Sequence, residues 1–447
     1  MSRLKKIFSP TCLAISLLLL MYTFYRSEIH YDGEKSDYFL VYYVGSSLLI
    51  LFSIITFFIS DQIKELLIIA SISIVVSLYA FEGYLSLTPQ FPEAKIYEKE
   101  TGKKWDTRDR IEVYQDLLKI NNKATVTVHP SYFLNKNTNI IPLSGVSNSD
   151  TIYCNENGYF SVYQSDRYGF NNPDEEWDSK EVEYLLVGDS MTHGACVNRP
   201  DDIGSVLRTL SNKSVLNLGY GGNAPLTQYA TLREYLTPKV KKVLWAFVDN
   251  DTGGFIKELN AKNKILLNYL NDPAFTQNLK LRQKEINTLA NDVIKSEYID
   301  TTKELKFIKL TYIREKLNSY LPEKYKPHED LKLSPLPSSS FKDILKLAKE
   351  LTIENNSKLF FVYLPLCERY KTKDKGCWFK RGKYDDINYR EVKKIVNELD
   401  IPFIDIHEEV FSKQKNPLEL FPFELKKHYN VLGFKKTSEG IYRLTKD

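Results

Sequence analysis

The hydrophobic pattern changes sharply along the chain, and its N-terminal part holds three long apolar runs, at roughly Pro10–Tyr25, Tyr38–Ile59 and Leu66–Leu85. The second and third runs are about 20 residues long and nearly uncharged, which is enough to cross the hydrocarbon core of a bilayer. The first run is short enough for a signal peptide, but no small-residue cleavage site follows it and two further runs do. Tandem helices that are apolar on every face would not find enough core in a soluble protein. These runs predict a three-helix transmembrane segment over residues 1–87.

The distribution of charge around these runs predicts their orientation. Arg3, Lys5 and Lys6 precede the first run, whereas the loop after it carries more acidic than basic residues. Basic flanks stay in the cytoplasm. Three crossings of the cytoplasmic membrane then place everything after Leu85 on its outer side, as an extracytoplasmic C-terminal domain on a multi-pass anchor.

The pattern beyond the membrane segment is irregular at first. Residues 88–180 contain Pro, Asn and Gly turns, with a predicted helix at Arg108–Ile120, a strand at Ala124–Val128 and either a hairpin or an edge-strand lead-in between Gly158 and Phe170. We interpret this region as an irregular stalk and lead-in to the main domain, and we predict no chemistry for it.

From about residue 181 strands and helices alternate, which predicts a doubly wound α/β sheet. The strands are nearly continuous apolar runs, as expected of parallel strands covered on both faces. The predicted strands are Tyr184–Val187, Ser214–Leu218, Lys242–Val248, Leu359–Leu364 and Pro402–Ile406. The predicted helices are Ile203–Leu210, Thr227–Leu236, Phe341–Leu351, Tyr389–Leu399 and a last one ending near Leu444. A charged insertion at about 255–334 has helical spacing and is predicted to form a cap or lid.

Residues with catalytic chemistry follow several of these strands. Gly188-Asp189-Ser190 ends the first strand, a glycine-rich turn containing Gly222 follows the second, and Asn250 follows the third. His428 comes after the last strand. Open α/β sheets bind ligands at the carboxyl ends of their strands, so these residues are expected to converge. A serine, a base and N–H donors for an oxyanion are what acyl transfer requires.

These segments resemble the four sequence blocks of the SGNH, or GDSL-like, hydrolases. Gly188-Asp189-Ser190 with Thr192 and Gly194 is similar to the first block, Gly222 to the second, Asn250 to the third and His428 to the last. The resemblance implies a flavodoxin-like three-layer α/β/α fold over 181–447. It also implies a Ser190 nucleophile and a His428 base. The oxyanion hole would comprise the Ser190 N–H, the Gly222 N–H and the Asn250 side chain.

Val248 stands where the family usually has a glycine, two residues before Asn250, and a second departure matters more. The family usually has an aspartate three residues before the histidine, and here that residue is Leu425. Without a carboxylate the imidazole lacks the group that orients it and stabilises its positive charge. Glu424 or Asp405 could substitute as the orienting acid. A backbone carbonyl could instead hold the ring in a Ser–His dyad.

Composition narrows the remaining possibilities. A net charge of +4 over 447 residues gives no concentrated basic patch for nucleic acid. None of the five cysteines forms a C-x-x-C pair, and no histidine cluster has metal-ligand spacing, so neither a metal nor another cofactor is predicted. Cys367 and Cys377 flank a loop and could pair outside the cytoplasm. His193, close after Ser190, could face the pocket or be a polar neighbour.

The leading hypothesis is a membrane-anchored esterase or O-acyltransferase that acts on acyl groups of an extracytoplasmic glycan or lipid. Three spans are too few to carry acyl groups across the membrane, so a transferase would need a partner membrane protein to supply them. The departure at Leu425 motivates a second hypothesis, a weak or inactive glycan-binding or assembly subunit. A third is an anchored scaffold in which Ser190 and His428 lie far apart.

Overall fold

The computed structural model describes residues 2–30, 33, 36–87, 92–296, 307–320, 335–371 and 386–446. The chain forms two compact units, one of Met1–Gln90 with Thr302–Leu331 and the other of Phe91–Thr301 with Lys332–Asp447.

The helices are numbered here in chain order. The first eight are α1 (Ser2–Phe24), α2 (Ser36–Ile55), α3 (Asp61–Leu87), α4 (Pro92–Thr101), α5 (Arg110–Ile120), α6 (Ser190–His193), α7 (Ile203–Ser211) and α8 (Pro225–Tyr235). The remaining ones are α9 (Asp251–Asn260), α10 (Lys264–Asn271), α11 (Gln283–Ile294), α12 (Thr311–Tyr320), α13 (Ser338–Glu354), α14 (Ile387–Glu398), α15 (Ile406–Glu409) and α16 (Val431–Thr445).

The strands form two sheets. The smaller sheet contains β1 (Ala124–Val126), β2 (Asp150–Ile152) and β3 (Val162–Gln164). The larger sheet contains β4 (Val182–Val187), β5 (Val215–Asn217), β6 (Val240–Val248), β7 (Lys358–Leu364) and β8 (Phe403–Asp405).

The first unit holds three helices long and apolar enough to cross a membrane, spanning Leu4–Ile29, Tyr38–Ile55 and Asp61–Leu87 with a mean hydropathy of 1.9 to 2.0. Polar side chains of α1 face α2 and the residues that follow it. The Ser16 hydroxyl lies 2.8 Å from that of Ser53. Hydrogen bonds of this kind join helices where the surroundings are apolar. The predicted three-helix segment is therefore present as three apolar helices, consistent with membrane anchoring.

A short part of the predicted insertion also belongs to the first unit. The buried carboxylate of Glu82 on α3 accepts hydrogen bonds from the backbone N–H groups of Tyr312 and Ile313, at 2.9 and 2.8 Å. A carboxylate at the N-terminal turn of α12 satisfies donors that the helix leaves open and complements its dipole. The rest of the described insertion, α9 to α11, lies in the second unit. The region at about 255–334 is therefore divided between the two units.

The larger sheet is wholly parallel, with the strand order β5-β4-β6-β7-β8. This is the 2-1-3-4-5 order of one common class of doubly wound folds, in which ligands bind where the strand order reverses. The reversal lies at β4, between β5 and β6. The five strands predicted from the apolar runs are confirmed, with ends that differ by at most two residues.

Both faces of this sheet are buried, because alternate residues of each strand enter different cores. Val243, Trp245 and Phe247 of β6 pack in one cluster with residues of α8, α13 and α14. Their neighbours Leu244, Ala246 and Val248 pack in a second cluster with residues of α7 and α16. Burial on both faces explains why these strands are continuous apolar runs.

The lead-in contributes a small sheet in which β1 pairs in parallel with β2, and β2 pairs antiparallel with β3. Val126 and Ile152 of this sheet belong to the same apolar cluster as β4 and β6. Of the two alternatives predicted between Gly158 and Phe170, the structure has the edge strand and not the hairpin, because β3 lies at the edge of this sheet and pairs with the earlier strand β2 across the loop 153–161. That loop reaches the site described next.

Candidate active site

Ser190 stands at the carboxyl end of β4, the strand at which the sheet order reverses. Asp189 caps the short helix α6 by accepting a hydrogen bond from the N–H of Met191 at 2.8 Å. A side chain at Gly188 would collide with Thr192 and with the carbonyl of Ala246, so only glycine allows so tight a turn. The strand-to-helix turn therefore presents the Ser190 hydroxyl at the edge where ligands bind in such sheets.

His428 reaches Ser190 from the loop that precedes α16. Its Nε2 lies 2.9 Å from the Ser190 Oγ. Asn430 holds this loop by capping α16, where its side chain accepts a hydrogen bond from the N–H of Gly433 at 2.9 Å. Ser190 and His428 are 238 positions apart in sequence. Their geometry suits a nucleophile and its general base.

The other side of the His428 ring contacts a carboxylate, that of Glu156. Glu156 Oε1 lies 2.9 Å from His428 Nδ1, and its Oε2 accepts the backbone N–H of His428 at 2.9 Å. Burial by itself would raise the pKa of Glu156, but the charge and hydrogen bonds of His428 outweigh it and hold that pKa at about 2. The carboxylate is therefore ionised at neutral pH and holds His428 through one contact to the ring and one to the backbone.

The predicted orienting acids, Glu424 and Asp405, are both wrong. Asp405 ends β8, caps α15 and accepts a hydrogen bond from Tyr389 Oη at 2.5 Å. Glu424 accepts from the side-chain amide of Asn416 at 2.8 Å. The carboxylate beside His428 Nδ1 is that of Glu156. This residue comes from the lead-in region, for which no chemistry was predicted.

A disulfide joins the Glu156 loop to the segment after Ser190, by linking Cys154 to Cys196. Neither cysteine was singled out by spacing, because they are 42 residues apart. This pair is the sequence signal that could have placed the Glu156 loop beside Ser190. The predicted Cys367–Cys377 pair is not assessed, because Cys377 lies outside the described residues.

Glu156, Cys196 and His428 place potential metal-ligating atoms within 4.8 Å of one another. The ligand that cysteine offers a metal is its thiolate. The Cys196 sulfur is bonded to that of Cys154, so this set of donors lacks its thiolate. The cluster fits a hydrogen-bonded Ser–His–Glu chain better than a metal site.

The predicted oxyanion-hole residues follow the two strands that flank β4. Gly222 lies in the turn after β5 with a φ of +78°, and Asn250 stands at the N-terminus of α9 after β6. Asn250 is half-buried, and its Oδ1 has no hydrogen-bond partner within the described part of the chain. Their positions on either side of Ser190 suit donors to an oxyanion, and that role stays a prediction.

Two side chains of the lead-in pack directly on the glycine-rich turn. A side chain at Gly221 would collide with Tyr153 Oη and lie 2.8 Å from His129 Nε2, while one at Gly222 would lie 3.1 Å from His129 Cβ. Burial lowers the pKa of His129 to about 4, so its imidazole is neutral at neutral pH. His129 therefore supports the turn that carries Gly222.

His193 is a buried neighbour of the site. Its ring lies between those of Tyr153 and Tyr163, with centroids 4.8 Å from each, and its Nδ1 lies 3.2 Å from the Gly219 carbonyl oxygen. Burial lowers its pKa to about 3. Of the two interpretations left open for His193, the structure favours the polar neighbour.

No family model matches the chain, and no related curated protein is found. Solved structures that align with it cover 59% of the chain. One is a protein of the lipolytic G-D-S-L family from Desulfitobacterium hafniense DCB-2, with 14% identity, 99% of its own length covered and a TM-score of 0.32. A second is the acetyl xylan esterase AlAXEase, with 12% identity, 100% of its own length covered and a TM-score of 0.32. A third is phospholipase A1 from Streptomyces albidoflavus NA297, with 10% identity, 99% of its own length covered and a TM-score of 0.31.

Proposed function

We propose that the protein is a membrane-anchored serine ester hydrolase or O-acyltransferase of the SGNH type, with a Ser190–His428–Glu156 triad. The observation that carries this proposal is the continuous chain from hydroxyl to imidazole to carboxylate, with both links at 2.9 Å. The same arrangement occurs on unrelated folds, and geometry and roles identify it. The sequence blocks around Ser190, Gly222, Asn250 and His428 support the SGNH assignment.

The reaction follows from these positions. His428 Nε2 accepts the Ser190 proton as Oγ bonds to the acyl carbonyl carbon, and the charge on the carbonyl oxygen is stabilised by the N–H groups of Ser190 and Gly222 and by Asn250. The intermediate collapses when His428 returns the proton to the leaving alkoxide, which departs as an alcohol. Water or an acceptor hydroxyl then attacks the acyl-serine by the same steps in reverse.

The carboxylate of Glu156 has a defined part in this sequence. It accepts a hydrogen bond from the Nδ1–H of His428, which keeps Nε2 free to take the serine proton. It also lies beside the imidazolium that forms in the transition state and remains ionised itself. With an acid in place, the reason for suspecting an inactive glycan-binding subunit, Leu425 at the usual aspartate position, no longer holds.

The membrane helices and the disulfide support an extracytoplasmic site on the outer side of the cytoplasmic membrane. Disulfides persist in oxidising compartments and are rare in the cytosol. The proposed substrates are acyl groups of a glycan or lipid outside the membrane. If the acceptor is a hydroxyl group, a partner membrane protein supplies the acyl donor.

A fluorophosphonate probe tests the proposal directly, because it reacts covalently with an activated serine. The detergent-solubilised full chain should label once per molecule, and Ser190→Ala should not label. Ser412→Ala removes an exposed serine hydroxyl of the same unit and should label like the wild type. A wild-type protein that stays unlabelled at neutral and mildly alkaline pH would contradict the proposed function.

A further inference from the structure

We infer that the Cys154–Cys196 disulfide is a positioning element for the candidate active site: it holds the Glu156 carboxylate on His428, so the oxidation state of this pair controls proton transfer. This inference rests on the proposed function and concerns a bond that takes no part in the reaction. The disulfide joins the loop that carries the acid to the loop that follows the nucleophile.

The two cysteines lie close in sequence to the two catalytic groups they connect. Cys154 precedes Glu156 by two residues, and Cys196 follows Ser190 by six. Cys196 Sγ lies 3.9 Å from His428 Nδ1, the ring nitrogen that contacts Glu156. The bond therefore crosses the site beside the hydrogen bond whose geometry it would control.

The Glu156 loop is closed at its base and is also held near its tip, where the Asp106 N–H donates to the Gly158 carbonyl at 2.9 Å and the Asn155 side-chain amide donates to the Asp106 carbonyl at 3.0 Å. The backbone of Cys154 and Ser161 closes the loop, with Ser161 N–H donating to the Cys154 carbonyl at 2.9 Å. Near Glu156 itself, the Asn157 side-chain amide donates to the Cys196 carbonyl at 2.9 Å. A single neutral hydrogen bond contributes about 1 kcal/mol, whereas the covalent bond prevents the two loops from separating.

The position of the carboxylate matters because its buried charge is favoured only while it contacts His428. Burial opposes the charged form of Glu156, and contact with His428 compensates for that cost. A loop free to move away would let the carboxylate regain water and leave the ring without its partner. Misplacement of a catalytic group by about 1 Å can cost about 100-fold in rate.

Reduction of the pair is a balanced exchange with an external dithiol. A thiolate of the reductant attacks one sulfur, the Cys154–Cys196 bond breaks and the other cysteine leaves as a thiol; the second reductant thiol then attacks the mixed disulfide and displaces the remaining cysteine. The products are two cysteine thiols and the oxidised reductant, with two electrons transferred. In an oxidising compartment the bond persists, and the site stays assembled.

A double-mutant cycle separates positioning from general support of the fold. We would measure kcat and KM for p-nitrophenyl acetate on the full chain as wild type, C154S/C196S, E156Q and the triple variant. The expected result is a fall in kcat of about 100-fold for C154S/C196S with KM within about twofold, and a triple variant no slower than E156Q. Multiplicative losses in the triple variant, or unchanged kcat in C154S/C196S, would overturn the inference.

A second measurement compares folded wild type before and after reduction, and C154S/C196S serves only as its control. Folded wild type is treated with a dithiol and its fluorophosphonate labelling rate is followed, with C154S/C196S treated in parallel to expose effects of reduction elsewhere. Wild type should slow toward the rate of C154S/C196S and recover on reoxidation, and Cys12→Ser, which removes the free thiol, should behave like wild type. Labelling that is insensitive to the dithiol overturns the inference alone, whereas an untreated wild type that never labels overturns the proposed function as well.

Discussion

The large sheet and the lead-in supply different halves of the same site by different means. The sheet presents Ser190 and the turns with Gly222 and Asn250 through regular strands whose carboxyl ends share one edge. The lead-in supplies Glu156 from an irregular loop held by a disulfide, and packs His129 under the glycine-rich turn. Regular architecture positions the proposed nucleophile and oxyanion donors, while the irregular region supplies the proposed orienting acid.

The largest expected effect lies in the sheet. Ser190→Ala removes the nucleophile and should reduce kcat for p-nitrophenyl acetate by about 10⁶-fold, as for a triad serine. The matched Ser412→Ala variant should keep wild-type kcat. Residual activity in Ser190→Ala above about 1% of wild type would mean that another group carries the reaction.

The next effect belongs to the lead-in. Glu156→Gln keeps the shape but removes the charge, and should lower kcat by about 10³- to 10⁴-fold with little change in KM. Glu424→Gln alters a carboxylate bonded to Asn416 and should leave kcat within about twofold. If Glu424→Gln were the more damaging change, the assignment of the acid would be wrong.

Restoring the usual family residue should then have no benefit. Because Glu156 already contacts His428 Nδ1, the carboxylate added by Leu425→Asp is not needed to orient the imidazole. We expect kcat within about twofold of wild type, or lower. A tenfold rise, measured on the same ester, would show that Glu156 does not orient His428.

Variants of the glycine-rich turn test the contact between the large sheet and the lead-in. Gly222→Ala and Gly102→Ala both place a side chain at positive φ, +78° and +68°, which costs about 1 kcal/mol in each case. Only at Gly222 does the new Cβ press on His129; at Gly102 nothing lies within 4 Å. Thermal unfolding should shift similarly in both variants, and kcat should fall about tenfold or more in Gly222→Ala alone. Equal kcat in the two variants would mean that the turn with Gly222 does not form part of the oxyanion hole.

The smallest effect is a pH dependence of stability. The pKa of His193 is about 3 in the folded protein and about 6.5 when unfolded, so the unfolded chain takes up the proton first as pH falls. Its contribution is therefore complete above pH 6.5 and is lost as pH falls toward 3, at up to about 1.4 kcal/mol per pH unit. His193→Phe keeps the ring between the tyrosines and should flatten the fall in melting temperature between pH 6.5 and 5. An unchanged slope would mean that His193 titrates normally.

The elements that could be predicted from the sequence are marked by patterns of neighbouring residues. Each strand of the large sheet is a nearly continuous apolar run. Ser190 follows one of these strands closely and His428 precedes the last helix, both in sequences with family resemblance. Glu156 has no such signal, because it lies in a loop 272 residues from its partner and follows no periodic pattern. The nearest sequence indication was the pair Cys154 and Cys196, whose bond depends on a tertiary arrangement that spacing does not encode. The divided insertion was hidden for the same reason, since Glu82 and Tyr312 are 230 residues apart.

The most direct test of the account is the rate at which a fluorophosphonate labels Ser190 in wild type, Glu156→Gln and Glu424→Gln, with the site of labelling mapped by peptide mass spectrometry. If Glu156 orients His428, we expect fast labelling at Ser190 in wild type and Glu424→Gln, and labelling slowed by about 10³-fold or more in Glu156→Gln. Equal rates in wild type and Glu156→Gln, or modification at a residue other than Ser190, would contradict it.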